Sequence, residues 1–295
     1  MPIAFVQVDV FTTQPLYGNP AAVVFDGDHL STDTMQRIAR EMTLSETVFI
    51  VSPTTPGADY RARIFTPMSE LPFAGHPTIA AAHAVLDRFA DKASATLLRQ
   101  ECGIGLVPVE VLQDGADRVL RMTQASPTYR GTDLARASVA QMLGCAESDV
   151  ASTPFEVVST GVPWLIVQFA RRESISELVP DQALIQRECR RLRAAGITTF
   201  VERGPGGPAR IRVRTFAPGE GVAEDPVCGS GNGSVAAYIA RHTHPDEVSG
   251  SYVSEQGIEI GRDGLVRASW ERLDGHIRIR IGGSAVIVAR GELLL

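Results

Sequence analysis

The chain has 295 residues, 44% of them hydrophobic and 21% charged, with a formal net charge of −6. Its length exceeds one average domain, so two domains are expected, and the acidic balance argues against a nucleic-acid surface. No run approaches the roughly 18 apolar residues of a spanning helix, so no membrane partner is expected.

The first half opens on FVQVDVF, which alternates like a strand and lacks the pattern of a signal peptide. AAVVF follows as an apolar strand. STDTMQRIAREM then reads as an amphipathic helix, capped by Ser31 or Thr32, with Met35, Ile38 and Met42 on one side. Strands TVFIVS and YRARIF lead through a Pro/Gly-rich loop to an alanine-rich helix, PTIAAAHAVLDRF. Strands ATLLRQ, IGLVPVEVL and RVLRMT close this half. The stretch 124–133, with Pro127 and Gly131, reads as a hinge.

The second half repeats the order. VVSTGVPWLIVQF is strand–turn–strand, and PDQALIQRECRRLRAAG is a helix with Gly196 as its C-cap. Its basic run, RECRRLR, fits a solvated helix face. Strands TTFVE and RIRVRTF precede a Gly-rich loop and a helix around SVAAYIARH. SYVSEQG, LVRASW, HIRIRIG and AVIVAR are further strands.

The duplication extends to single residues. FTPMSELPFAGH (65–76) and FAPGEGVAEDPVCGS (216–230) both run from Phe-x-Pro to Pro-x-x-Gly. Aligning Pro72 with Pro226 and Gly75 with Gly229 sets Leu71 against Asp225, Ala74 against Cys228 and His76 against Ser230. YGNPAAVV (17–24) likewise matches TGVPWLIV (160–167). The period is far too long for a solenoid, and indicates two similar α+β domains related by a pseudo-twofold axis. Their matching loops would face a common cleft, and both lead into helices whose first turns offer unpaired N–H groups. Two such helix starts would hold an anion, most simply a carboxylate.

The Gly-rich stretch EDPVCGSGNG (224–233) fits no nucleotide motif. Its G-S-G-N-G spacing follows a proline-containing loop, it lacks the Gly-Lys-Ser/Thr ending of a Walker loop, and it is not a nucleophile elbow. A plain flexible connector is the alternative, against which stand Asp225 and the matching His76. The candidate chemistry is acid/base. Glu46 in LSETVFI precedes an apolar strand, where partial burial suits a proton-transfer group; otherwise it is a surface or capping carboxylate. His76 at a helix start is a poised titratable group or a packed histidine. Asp225 orients a partner or caps a helix. Cys228 is a thiol base or a small buried residue. His242 and His244 in RHTHP stand at a helix end before a proline and read as capping or solvated, not as metal ligands. Cys102, Cys145, Cys189 and Cys228 contain no CxxC pair and read as reduced thiols of a cytoplasmic protein without structural zinc.

VDVFTTQPLYGNPAAVV, LSETVFI, LPFAGHPTIAAAH, STGVPW and EDPVCGSGNG occur in the order seen in the phenazine-biosynthesis PhzF family, which the chain resembles over nearly its whole length. The resemblance implies an α+β, diaminopimelate epimerase-like fold. It has two pseudo-symmetric domains, each a curved, mostly antiparallel sheet or barrel around a central helix. The domains expected are 1–126, joined by a returning strand 284–295, and 127–283, with the active site in the cleft between them. No cofactor or metal is implied, and a homodimer is.

By the same resemblance, Glu46 matches the general acid/base, and His76 and Asp225 match polar partners that hold and relay protons. Gly75, Gly229 and Ser230 match substrate-binding helix starts, while Asn19 and Gly18 are structural or line the cleft. The wider superfamily's racemases use two opposed cysteines. Ala74 takes one of those positions here, which disfavours a two-thiol racemase. Cys228 takes the other, where PhzF itself has threonine. The implied activity is a cofactor-independent isomerase that moves a proton and double bond in a small carboxylate-bearing, amino-acid-like or cyclic substrate. The alternatives are a single-thiol epimerase or dehydratase using Cys228, and a non-catalytic small-molecule binding protein.

Overall fold

The computed structural model describes residues 2–202 and 210–295. The chain divides into two compact units, one of Met1–Met122 with Gly282–Leu295, and the other of Thr123–Ile281.

The first unit contains, in chain order, β1 (Ile3–Val10), β2 (Asn19–Val24), α1 (Thr32–Met42), β3 (Thr47–Val51), β4 (Tyr60–Phe65), β5 (Glu70–Leu71), α2 (Gly75–Arg88), β6 (Leu97–Cys102), β7 (Gly105–Asp114) and β8 (Asp117–Thr123). The second contains β9 (Thr128–Gly131), α3 (Arg136–Leu143), β10 (Glu156–Ser159), β11 (Pro163–Gln168), α4 (Arg172–Ser176), α5 (Gln182–Arg191), β12 (Gly196–Glu202), β13 (Arg210–Ala217), β14 (Val222–Asp225), α6 (Gly229–His242), β15 (Ser249–Gln256) and β16 (Gly264–Leu273). β17 (His276–Gly283) leads to β18 (Ala285–Leu293), which pairs antiparallel with β1 in the first unit.

The duplication holds pairing by pairing. β1 pairs with β2 antiparallel, as β10 does with β11. β2–β3 and β11–β12 are parallel, so each needs a crossover, which α1 supplies in one unit and α4 with α5 in the other. β3–β4 and β12–β13 are antiparallel, β4–β6 and β13–β15 parallel. Even the outer partner recurs: β18 flanks β1 as β9 flanks β10.

Each sheet curves round one helix. α2 carries buried residues on every side and lies against β1, β2, β3, β4, β6 and β18, as befits a helix apolar all round. α6 takes the same place against β10, β11, β12, β15 and β16. α1 covers the outer face of the first sheet, packing Met35, Ile38 and Ala39 on Phe49 and Phe65, with Met42 at the margin. Burial of each such large side chain contributes about 1.5–3 kcal/mol. Ser31 is its cap, the hydroxyl accepting from the Thr34 amide at 3.1 Å. In the second unit α3 and α5 supply the outer layer, with Val139, Leu143 and Ile185 against Leu165 and Ile197.

One expected boundary is corrected. α5 ends at Arg191, and Gly196 opens β12 instead of capping the helix. The chain reverses at Arg193, which takes the left-handed conformation itself at φ 49, and the Ala194 amide donates back to the Cys189 carbonyl at 2.8 Å. Gly196 is glycine for space: a Cβ there would lie 2.2 Å from the Phe216 carbonyl oxygen. Among the described residues no helix is long and apolar enough to cross a membrane.

Candidate active site

Glu46 immediately precedes β3, where Val48 and Phe49 are fully buried. Its carbonyl accepts from the Ala22 amide at 3.3 Å, which ties this backbone to the start of the parallel β2–β3 ladder. His76 is the second residue of α2. Ala74, the N-cap, offers no side-chain acceptor, so the amides of Gly75 and His76 have no partner within the helix and point outward from its positive end.

These elements bring Glu46 Oε2 and His76 Nε2 to 3.2 Å, with the side chains 16% and 9% exposed. The alignment is not that of a hydrogen bond, and both atoms are buried without a hydrogen-bond partner among the described residues. Buried polar atoms are nearly always hydrogen-bonded, so this close pair stands out as a candidate site. Thirty residues separate the two in sequence, and only the fold joins them. Asn19, at the start of β2, is 2% exposed. Before it, Gly18 has φ 65, and a Cβ would stand 2.1 Å from the Val10 carbonyl oxygen.

In the second unit Asp225 ends β14 opposite Thr215, and its Oδ1 accepts from the Val227 amide at 3.1 Å. It therefore shapes the turn before α6 and is not the helix cap. That place belongs to Cys228, whose Sγ accepts from the Gly231 amide at 3.3 Å. Cys228 is 4% exposed. Burial, with the Asp225 charge beside it, pushes its thiol well above the ordinary value. The sulfur is thus a protonated capping group, ill suited to act as a base.

Gln256, fully buried, holds this turn from below. Its Nε2 donates to the Asp225 carbonyl at 2.9 Å, and its Oε1 accepts from the Cys228 amide at 3.2 Å and from Asn232 Nδ2 at 2.9 Å. Gly229, the first residue of α6, accepts at its carbonyl from Gln124 Nε2 at 3.3 Å. Ser230 is partly exposed, and its Oγ accepts from the Trp164 indole at 3.0 Å. The glycines behind it answer to packing: a Cβ on Gly233 would fall 1.6 Å from Gln124 Oε1.

One duplicated feature is not evident from the motifs alone. Arg63 grips Glu70 with two hydrogen bonds of 2.8 and 2.7 Å and lies over the Phe65 ring. Arg214 grips Glu224 with two of 2.8 Å and lies over Phe216. Each pair ties β5 or β14 to its neighbour directly before a helix-start loop. The signal lies in the repeat itself: the Phe-x-Pro alignment matches Arg63 with Arg214, and the Pro72–Pro226 alignment matches Glu70 with Glu224. The two histidines of RHTHP part company, His242 Nε2 lying 2.8 Å from Glu156 and His244 Nδ1 lying 2.8 Å from Glu247. All four cysteines are free.

A family model described as phenazine biosynthesis-like protein matches residues 8–291. The chain belongs to that family. It is 37% identical over 294 residues to trans-2,3-dihydro-3-hydroxyanthranilate isomerase of Pseudomonas chlororaphis, covering 99% of both chains. Among solved structures, the phenazine biosynthesis protein of the PhzF family from Bacillus anthracis superposes with a TM-score of 0.91 at 27% identity, with both chains fully covered. A hydroxyproline epimerase from Agrobacterium vitis, 14% identical over 99% of this chain and 91% of its own, shares the fold at a TM-score of 0.65. The phenazine biosynthesis-like chain thus has the two-unit, helix-in-sheet architecture that also carries epimerases.

Proposed function

We propose that this protein is a cofactor-independent isomerase that moves a proton and a double bond in a small, carboxylate-bearing, cyclic or amino-acid-like substrate. The observation that carries the reading is the buried pair of Glu46 Oε2 and His76 Nε2, 3.2 Å apart and without hydrogen-bond partners among the described residues. In this reaction the Glu46 carboxylate takes a proton from a substrate carbon. The electrons of that C–H bond form a new double bond as the old one shifts, and the Glu46 carboxylic acid returns the proton to another carbon. Atoms and charge balance without an oxidant, reductant or metal. His76 at the amino end of α2 stabilises the charge that develops beside Glu46, and the free amides at the helix start favour an anion.

Through the family likeness Asp225 enters this reading as a polar partner that holds or relays a proton, Gly229 and Ser230 enter as substrate contacts, and a homodimer is proposed; a cytoplasmic location is proposed from the four free cysteines. The relative's name supplies the first compound to try. The purified protein, mixed with trans-2,3-dihydro-3-hydroxyanthranilate and followed by proton NMR, should shift the ring double bond. Binding without turnover would leave a ligand-binding protein in its place. A thiol mechanism through Cys228 is disfavoured by the burial and capping role of that sulfur.

A further inference from the structure

The turn into α6 rests on three side chains with no exposed surface, Asn232, Ser254 and Gln256. Backbone groups fix which way the Gln256 amide faces, because each of them acts in one sense only. The Cys228 amide can only donate, so the Gln256 atom that meets it at 3.2 Å is the oxygen. The Asp225 carbonyl can only accept, so the Gln256 atom 2.9 Å from it is the NH2. Gln256 Oε1 takes a second hydrogen from Asn232 Nδ2 at 2.9 Å, and Asn232 Nδ2 also donates to the Cys228 carbonyl at 2.9 Å. Ser254 Oγ donates to Asn232 Oδ1 and completes the network. Gly257 lets the strand come this close: it has φ 85, and a Cβ there would lie 2.5 Å from the Pro226 carbonyl oxygen.

The first unit holds its helix start in the same way but without a counterpart of Gln256. Thr78 Oγ1 donates to the Ala74 carbonyl at 2.8 Å and accepts from Gln100 Nε2 at 2.9 Å, as Asn232 bonds Cys228 and Ser254. The Phe-x-Pro alignment matches Arg61 with Arg212, and these pair with Glu101 and Glu255 in the β4–β6 and β13–β15 ladders. One residue further on, Cys102 therefore corresponds to Gln256. Cys102 Sγ turns instead to the Gly105 carbonyl of its own hairpin, at 3.6 Å. The residue aligned with Asp225 is Leu71, which has no charge to orient. The added anchor thus occurs in the unit whose loop carries an acid. Gln256 grips the Asp225 carbonyl while the Val227 amide grips its carboxylate at 3.1 Å, so both ends of the residue are fixed.

We propose that Gln256 is a positioning residue for the reaction, holding the Asp225 carboxylate where it can exchange or stabilise a proton of the substrate. Gln256 touches no substrate and acts through Asp225. The inference rests on the isomerase reading, in which Asp225 holds or relays a proton, and it adds what keeps that acid in place.

The test follows isomerisation of trans-2,3-dihydro-3-hydroxyanthranilate by NMR in the wild type, Asp225→Asn, Gln256→Leu, their double variant and Gln256→Glu, each checked to be folded by circular dichroism. Asp225→Asn should lower kcat about 100-fold, and Gln256→Leu, which frees the Asp225 peptide to shift, about 10- to 100-fold. The double variant should be no slower than Asp225→Asn, because Gln256 then has no carboxylate left to position. Lost stability alone would leave the kcat of the folded protein unchanged. Gln256→Glu keeps the shape of the side chain. Protonated, it donates to the Asp225 carbonyl and accepts from Cys228 and Asn232 as glutamine does; ionised, it has no hydrogen for that carbonyl and sets a second charge beside Asp225. Its kcat relative to the wild type should therefore rise about 10-fold between pH 8 and pH 5.5. Wild-type turnover in Gln256→Leu beside a slow Asp225→Asn overturns the positioning claim alone, as does a double variant whose loss is the product of the two single losses. A Gln256→Glu ratio that stays level with pH overturns it too, and is sufficient if Gln256→Leu does not fold. A wild type that leaves the compound unchanged removes the isomerase reading, an Asp225→Asn as fast as wild type removes the role of Asp225, and either takes this inference with it.

Discussion

His83 lies on α2, within the alanine-rich helix at the centre of the first sheet, and its Nδ1 is buried without a hydrogen-bond partner among the described residues. Burial first, and then the Arg118 charge, lower its pKa from 6.5 to about 4, with Arg290 adding to the effect and Asp87 opposing it. The folded protein therefore favours neutral His83 more than the unfolded chain does. Stability from this group is fully present above about pH 6.5 and is lost as pH falls toward 4, below which the loss is complete. The full difference corresponds to about 3 kcal/mol, of which about 2 kcal/mol is gone by pH 5. The carboxyl of Glu101, held down at about 2 chiefly by the Thr54 hydroxyl, begins to contribute only below its unfolded value of 4.5, so it leaves this window clear. Replacing His83 by leucine removes the titration. Urea unfolding of both proteins at pH 7.5 and pH 5.0 should show the wild type losing about 2 kcal/mol more than His83→Leu over that interval. Parallel losses in the two proteins would refute the assignment of a neutral, half-buried histidine.

Gly18→Ala should cost about 2 kcal/mol in the same assay, since the position combines φ 65 with a Cβ 2.1 Å from the Val10 oxygen. A neutral outcome would mean that this turn can open freely. The two arginine clamps should differ in weight. Arg214→Leu leaves Glu224, 11% exposed, without its partner and should cost about 3–5 kcal/mol. Arg63→Leu, facing a Glu70 that is 38% exposed, should cost about 1 kcal/mol or less; equal costs would contradict the difference in burial. Iodoacetamide should leave Cys228 unmodified in the folded protein by mass spectrometry, because the thiol is buried and protonated. Rapid labelling with loss of activity would restore the thiol mechanism.

The sequence carried the helix starts unusually well because the chain states them twice. α2 and α6 begin at Gly75 and Gly229, the two residues that the repeat aligns. The long amphipathic and apolar elements were legible for the ordinary reason that their periodicity spans several turns or pleats. β9 and β5 were not, since four and two residues are too few to show a period. α3 has little polar contrast between its faces, and α4 is five residues long. Gly196 misled because a glycine after a basic helix resembles a cap, whereas a tight approach to the Phe216 carbonyl required it. Glu46 and His76 could be named individually, but their meeting depends on a β-ladder and a buried helix start that no local pattern encodes. The same is true of Trp164 and Ser230, which are 66 residues apart and joined only by packing of α6 against β11.

The central claim is that Glu46 carries the proton. Its most direct test is to incubate trans-2,3-dihydro-3-hydroxyanthranilate with the wild type and with Glu46→Gln, and to follow the shift of the ring double bond by NMR. Wild type should shift it, and Glu46→Gln should do so about 100- to 10,000-fold more slowly while unfolding at a similar urea concentration. A shift that proceeds undiminished in Glu46→Gln would contradict the account.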